Sequence, residues 1–167
     1  MSAPTDTQNP KPLSGIRVVD FSWVVAGPMA TKMLGAMGAE VIKIESYSRP
    51  EHKARSTLFR ILNGNKLSCT IDIRSEIGQA ALRRLVRKSD IVVENFSSRV
   101  LKSYSLSYED LRKARPDLIY VSASGVGRTG PQGPALAYGS LLQAYSGRAG
   151  LIGKPNDQIE AMGILPI

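Results

Sequence analysis

The sequence predicts a Rossmann-like α/β fold, a mostly parallel sheet with helices on both faces. Three observations carry this: short β-branched runs recur along the chain, stretches of helical spacing separate them, and Gly/Pro turns punctuate the joins. At 167 residues the chain suits one domain or part of one.

The elements follow in order. Residues 1–12, with Pro4, Pro10 and Pro12 among Ser, Thr and Asn, bury too little apolar area to offset chain entropy and are expected to be a disordered arm. "IRVVD" (16–20) is a strand of the kind buried on both faces of a parallel sheet. In "FSWVVAGPMATKMLGAMGAE", Gly27 and Pro28 make the turn, and Pro28 suits the first helical position. Ala30, Met33, Leu34 and Met37 then recur at helical spacing, and Gly35 and Gly38 allow close packing and termination. "EVIKIE" (40–45) is the second strand, followed by a polar, basic loop through Arg60. "KLSCTIDI" is the third. Ser75 is placed to cap the amphipathic helix "EIGQAALRRLVRKS", whose apolar face reads as Ile77, Ala81, Leu82 and Leu85. "DIVVENF" is the fourth strand. Ser107 and Asp110 have the spacing of a capping box before "YEDLRKA". "LIYVSASG" is the fifth strand, and residues 138–150 form a last helix after a Gly/Pro-rich loop. Sheets of this kind bind ligands beyond the carboxyl ends of their strands, which directs attention to the loops after Asp20, Glu45, Asp72, Glu94 and Ser124.

Charge narrows the ligand. The net charge of +8 calls for an anionic partner, and residues 74–115 carry ten basic against five acidic side chains. Nucleic acid fits poorly, because the few aromatic residues do not alternate with the basic ones as a stacking platform would. "ALRRLVRKSD" reads as a solvated helix face, and a small nucleotide-based polyanion satisfies the charge equally well. No apolar run approaches the ~20 residues of a membrane span, and "MSAPTDTQNPKPLSG" is polar, so the expectation is a cytoplasmic protein. The single cysteine, Cys69, offers no disulfide framework and reads as a small core residue.

The motifs leave alternatives open. "GVGRTG" (125–130) misses the spacing of a dinucleotide loop by one position; it is a turn-rich loop or a phosphate loop. The first strand leads into "SWVVAGP", which lacks the glycines of a nicotinamide site. In "VVENFSSR" a strand ends in Asn95 and Phe96. The amide is either a ligand contact or a cap, and the ring is either a face for a purine or core. His52, the only histidine, lies in a charged loop and supports neither Ser-His-Asp catalysis nor a metal site, so no metal is expected.

"LSGIRVVDFSWVVAGPMATKMLGAMGAEVIKIE", "NGNKLSCTIDIRSEIGQAALRRLVRKSDIVVENF", "RPDLIYVSASGVGRTGP" and "AYGSLLQAYSGRAGLIGKP" resemble, in order and spacing, the class III coenzyme A transferases, from about Leu13 to Ile167. That family also holds the carnitine and bile-acid enzymes and the α-methylacyl-CoA racemases. The resemblance implies that residues 13–167 are the N-terminal part of the large domain of an interlocked homodimer. The catalytic aspartate then belongs to a Gly-Asp pair just beyond Ile167, none of the catalytic residues being in this chain. It implies transfer of coenzyme A from an acyl-CoA to a carboxylic acid through enzyme-bound anhydride and thioester intermediates, with no metal, nucleic acid or membrane. Carried over position by position, the coenzyme A site would use Val24, Val25, Ala26, Ile71, Arg74, Asn95, Phe96 and Val100, with Arg74 the best phosphate contact. Ser46 and Ser103 stand where related enzymes often have arginine, and Ser98-Arg99 replaces a common Pro-Gly; Arg49, Arg99 or Lys102 could supply the charge. Tyr138 stands where the racemases keep a histidine, which favours transfer over racemisation, and Gly139 replaces an acidic residue. The alternatives are an acyl-CoA racemase or isomerase, and a non-catalytic CoA-binding subunit.

Overall fold

The computed structural model describes residues 10–48, 55–97, 99–133, 135 and 137–152. Most of the expected arm, Arg49, His52, Ser98, Pro134 and the apolar end at 161–167 lie outside the described residues.

The β-branched runs form five parallel strands: β1 (Arg17–Asp20), β2 (Glu40–Glu45), β3 (Leu67–Thr70), β4 (Ile91–Glu94) and β5 (Ile119–Ser122). Their spatial order is β3-β2-β1-β4-β5. The chain therefore winds outward from β1 in one direction, then returns past it to β4, and this reversal opens a crevice at the carboxyl ends of β1 and β4. Period-two alternation sorts the side chains onto two faces. Val19, Ile44 and Val92 join one buried cluster with Leu82 and Val86 of α3 (Glu76–Val86), Leu101 of α4 (Val100–Ser103) and Leu111 of α5 (Tyr108–Leu111). Val18, Val41 and Val93 join the other, against Leu34 of α1 (Ala26–Ala36) and Leu13 and Ile16 of the entering chain. Helices thus cover both faces, as expected. Cys69 is half-buried against the first cluster.

Four local expectations are corrected. Pro28 is the third residue of α1, because the helix begins at Ala26; it still lies in the first turn, where a missing N–H breaks no helical bond. The loop expected through Arg60 contains a helix, α2 (Thr57–Asn63), capped by Ser56, whose Oγ accepts the Phe59 N–H at 3.1 Å. The flanking charges disguised its short apolar pattern, of which only Leu62 is buried. In α3 the buried face is Gly78, Leu82 and Val86, while Ile77 is 84% exposed. The Ser75 cap is as expected and accepts from Gly78 N–H at 3.0 Å, so the register of the helix turns Ile77 away from the sheet. Finally, the last helical stretch divides into α6 (Gly139–Tyr145) and a 3-10 turn (Arg148–Leu151), separated by Gly147 in the left-handed region at φ 73°.

The Ser107–Asp110 capping box forms in both directions, although α5 ends at Leu111. At the sheet edge, Ile119 and Val121 of β5 are 57% and 44% exposed, so one face of that strand is uncovered among the described residues. None of the described helices is long and apolar enough to cross a membrane.

Candidate ligand-binding site at the carboxyl ends of the strands

The loop leaving β1 is held from below by a buried ionic network. Asp20 ends β1 with no solvent exposure and sits in register with Lys43 of β2. Its Oδ1 accepts from the Ser22 N–H at 2.8 Å and from the Ser22 hydroxyl; its Oδ2 accepts from Thr31 Oγ1 at 2.8 Å and Lys66 Nζ at 2.9 Å. Lys43 Nζ lies 3.8 Å from Oδ1, donates to the Ser22 carbonyl and stands 5.2 Å from the centre of the Trp23 ring. Lys66 Nζ also donates to the Pro28 carbonyl and to Asn63 Oδ1, each at 2.8 Å. Burial lowers the pKa of Lys66, and the Asp20 charge only partly offsets that. The network therefore ties the ends of the β1–α1 loop to β2 and α2. Gly27 completes it: a Cβ there would lie 2.2 Å from Ser22 Cβ, so only glycine lets the turn close.

A second tie comes from β4. Asn95 Oδ1 accepts the Trp23 N–H at 2.7 Å and Asn95 Nδ2 donates to the Trp23 carbonyl at 2.8 Å. The next residue, Val24, has φ 65° and is 50% exposed. A β-branched residue in that region is a genuine outlier. Val25 then serves as N-cap of α1 without a side-chain bond.

Beside this loop a cavity of about 170 Å³ collects the tips of four strands. Phe21, Trp23, Ile44, Ile71, Ile73, Phe96, Val100 and Tyr104 form its apolar walls, and Glu45, Ser46, Ser48, Asp72 and Arg74 its polar side. Its volume is below the roughly 300–1,000 Å³ of a complete small-molecule site, so it suits one segment of a longer ligand. Arg74 is exposed and forks onto Asp72, with Nε–Oδ1 at 2.9 Å and Nη2–Oδ2 at 3.1 Å. That bond holds the Asp72 carboxyl below the usual carboxylate range and raises Arg74. Glu45 is buried, accepts from Ser68 Oγ at 2.8 Å and pairs with Arg55 Nη2 at 3.2 Å.

Glu94 organises the other side. It accepts the Phe96 N–H at 2.9 Å, the Ser122 hydroxyl and Arg128 Nη2 at 2.9 and 3.0 Å. Arg128 also donates to the carbonyls of Phe96 and Ala123, so "GVGRTG" folds back as a turn-rich loop, with Gly127 and Gly130 at φ 88° and 81°. A larger cavity of about 390 Å³ lies toward β5, lined by Lys102, Tyr108, Tyr120 and Arg128 among others. Burial, with the Glu94 charge second, pushes the Tyr120 hydroxyl above the ordinary tyrosine range. The larger cavity touches only two strands, whereas the smaller cavity collects the tips of four, so the smaller cavity is the better candidate.

Of the residues the sequence singled out, Ile71, Arg74, Phe96 and Val100 line the cavity together. Phe96 is both core and wall, half-buried and packed against the first cluster. Asn95 caps no turn; its amide holds the β1–α1 loop. Val24, Val25 and Ala26 stand beside the cavity in that loop and at the start of α1, outside its lining. Ser46 is on the wall, Ser103 is bonded to the Val100 carbonyl at 2.8 Å, and Lys102 faces the larger cavity. Sequence reading missed Trp23, Tyr104, Asp72, Lys43 and Lys66. A lysine within the apolar strand "EVIKIE" was a usable signal, since a buried ammonium requires a carboxylate partner.

Comparison with known proteins converges on one family. Residues 13–165 match the model of CoA-transferase family III. The succinate–glutarate CoA-transferase of Agrobacterium fabrum is 38% identical over 96% of this chain and 44% of its own length. The succinyl-CoA:glutarate CoA-transferase of Mus musculus is 37% identical over 92% of this chain and 37% of its own. Among solved structures, Rv3272 of M. tuberculosis superposes with a TM-score of 0.84 at 33% identity, covering 92% of this chain and 44% of that one. A CAIB/BAIF family protein from Brucella suis does so with 0.83 at 34%, covering 93% and 44%. The chain thus spans less than half the length of these relatives.

Proposed function

The chain belongs to CoA-transferase family III, and from that membership we propose that it forms the part of a CoA-transferase that holds coenzyme A while it passes from an acyl-CoA to a carboxylic acid. The observation that carries the reading is the cavity at the strand tips, where four of the residues that the family resemblance implies, Ile71, Arg74, Phe96 and Val100, come together. The fit is chemical. Aromatic and aliphatic walls suit a purine or the pantetheine arm, and the Arg74 guanidinium at the rim, its Nε and Nη2 on Asp72, has its Nη1 donors for a phosphate oxygen. Val24, Val25 and Ala26 supply backbone donors beside the reacting thioester, where negative charge develops on oxygen.

The nucleophile comes from elsewhere. The buried carboxylates Asp20, Glu45 and Glu94 are each held by several donors, so none is free to attack. In this reading the attacking carboxylate comes from the part of the relatives' length that this chain does not span. It adds to the thioester carbonyl and expels the CoA thiolate, leaving a mixed anhydride; the thiolate then attacks the enzyme's acyl carbon, releasing the first acid and leaving an enzyme thioester. The acceptor carboxylate reverses these steps. The relatives' names pair succinate with glutarate, so short dicarboxylates are the substrate class we assign to this reaction. The partner is a second copy, which sedimentation velocity on the whole protein reads directly.

Trp23 is the only tryptophan and lines the cavity, so its emission reports occupancy. Titrating the chain with coenzyme A should give a saturable change, and Arg74→Ala should weaken binding about 10- to 100-fold, the range of a hydrogen bond to a charged group. The absence of any saturable response in the wild type would refute the reading.

A further inference from the structure

The amide of Asn95 has its carbonyl on the Trp23 N–H at 2.7 Å and an N–H on the Trp23 carbonyl at 2.8 Å. A side chain with both ends on one residue's backbone, 72 positions away, acts as a two-point clamp. What it clamps is strained: Val24, the following residue, is held at φ 65°, and its side chain, half exposed, joins neither buried cluster. A non-glycine residue in the left-handed region is strained and persists only where its surroundings over-determine it. The loop is over-determined from both ends. Ser22, before the clamp, is fixed by Asp20, and Gly27, after it, is wedged against Ser22.

We propose that Asn95 is a positioning residue: it holds the Trp23–Val24 peptide in this left-handed turn, and so sets the conformation of the loop that meets the ligand, without itself binding the ligand. The ligand half of this statement rests on the function proposed above; the clamp half does not. Phe96, the neighbour of Asn95, lines the cavity through its side chain. One two-residue step at the end of β4 therefore divides its work, the ring forming the wall and the amide shaping the opposite loop.

The test is a double-mutant cycle on the full chain. Glycine adopts φ > 0 freely, so in Val24→Gly the turn no longer needs a clamp. Asn95→Ala alone should speed amide exchange at residues 23–27 by about tenfold or more, the loss of at least one hydrogen bond, and alter Trp23 emission before any ligand is added. It should weaken coenzyme A binding about tenfold as well. Relative to Val24→Gly alone, adding Asn95→Ala should then cost much less than it does in the wild type. An unchanged exchange pattern in Asn95→Ala would overturn the clamp. An affinity loss as large in the Val24→Gly background as in the wild type would mean that Asn95 touches the ligand, overturning the positioning role. Should Asn95→Ala not fold, Asn95→Asp keeps the acceptor for the Trp23 N–H and removes the donor to its carbonyl; exchange at 23–27 should rise there too, and wild-type protection would sink the proposal. Failure of wild-type chain to bind coenzyme A, with faster exchange in Asn95→Ala, would reject the functional reading and leave the clamp standing.

Discussion

Lys66→Met is the sharpest probe of how the β1–α1 loop is held. Methionine retains much of the buried stem and removes the ammonium, whose side chain is 1% exposed and bonded to Asp20, the Pro28 carbonyl and Asn63. Breaking a buried ion pair from one side costs about 3–5 kcal/mol, because the remaining charge stays buried without compensation. Asp20 would retain Ser22, Thr31 and, at 3.8 Å, Lys43, which places the loss at the lower end, about 3 kcal/mol. For a chain of this size each kcal/mol moves the melting temperature by roughly 2–4 °C, so circular dichroism should record a fall of about 6–12 °C. The double variant Asp20→Asn/Lys66→Met should lose less than the two single variants summed, since the contact between the two side chains is then lost only once. A Lys66→Met chain melting within about 2 °C of the wild type would refute the network as a source of stability.

Two further outcomes are expected. Ser107→Ala should cost about 1 kcal/mol by removing the α5 cap. The Ser107 hydrogen bonds hold Asp110 below its ordinary pKa, so this contribution is complete above the unfolded aspartate value and is lost as pH falls through the lower folded one; the gap between wild type and variant in urea melts should narrow in acid. Gly27→Ala should destabilise by about 1–3 kcal/mol, because a Cβ 2.2 Å from Ser22 forces the loop apart; a chemical melt indistinguishable from wild type would contradict that contact.

Local physics was legible in the chain. Ser75 and Ser107 acted as caps because an N-cap depends on one hydroxyl and N–H groups a few residues ahead. Ile77 was misassigned because spacing defines a helix face only up to a rotation, and the sheet selects which side is covered. The α2 helix was missed because its stability comes from its contacts with α1 rather than from a long apolar stripe. At the site, Phe96 stood out at the end of its strand, and Ile71, Arg74 and Val100 were expected only from the family resemblance, whereas Tyr104 and Asp72 carried no separate signal and entered the wall through folding.

By itself, then, the sequence determined the parallel α/β class, the five strands and the caps, since each follows from periodicity or from neighbours within a few residues. Only the tertiary structure decided that Asn95 grips Trp23, that Lys43 and Lys66 share Asp20, and that Arg128 folds onto Glu94. Those contacts join residues far apart in the chain, and their partners are chosen by strand order and burial, which no local pattern encodes.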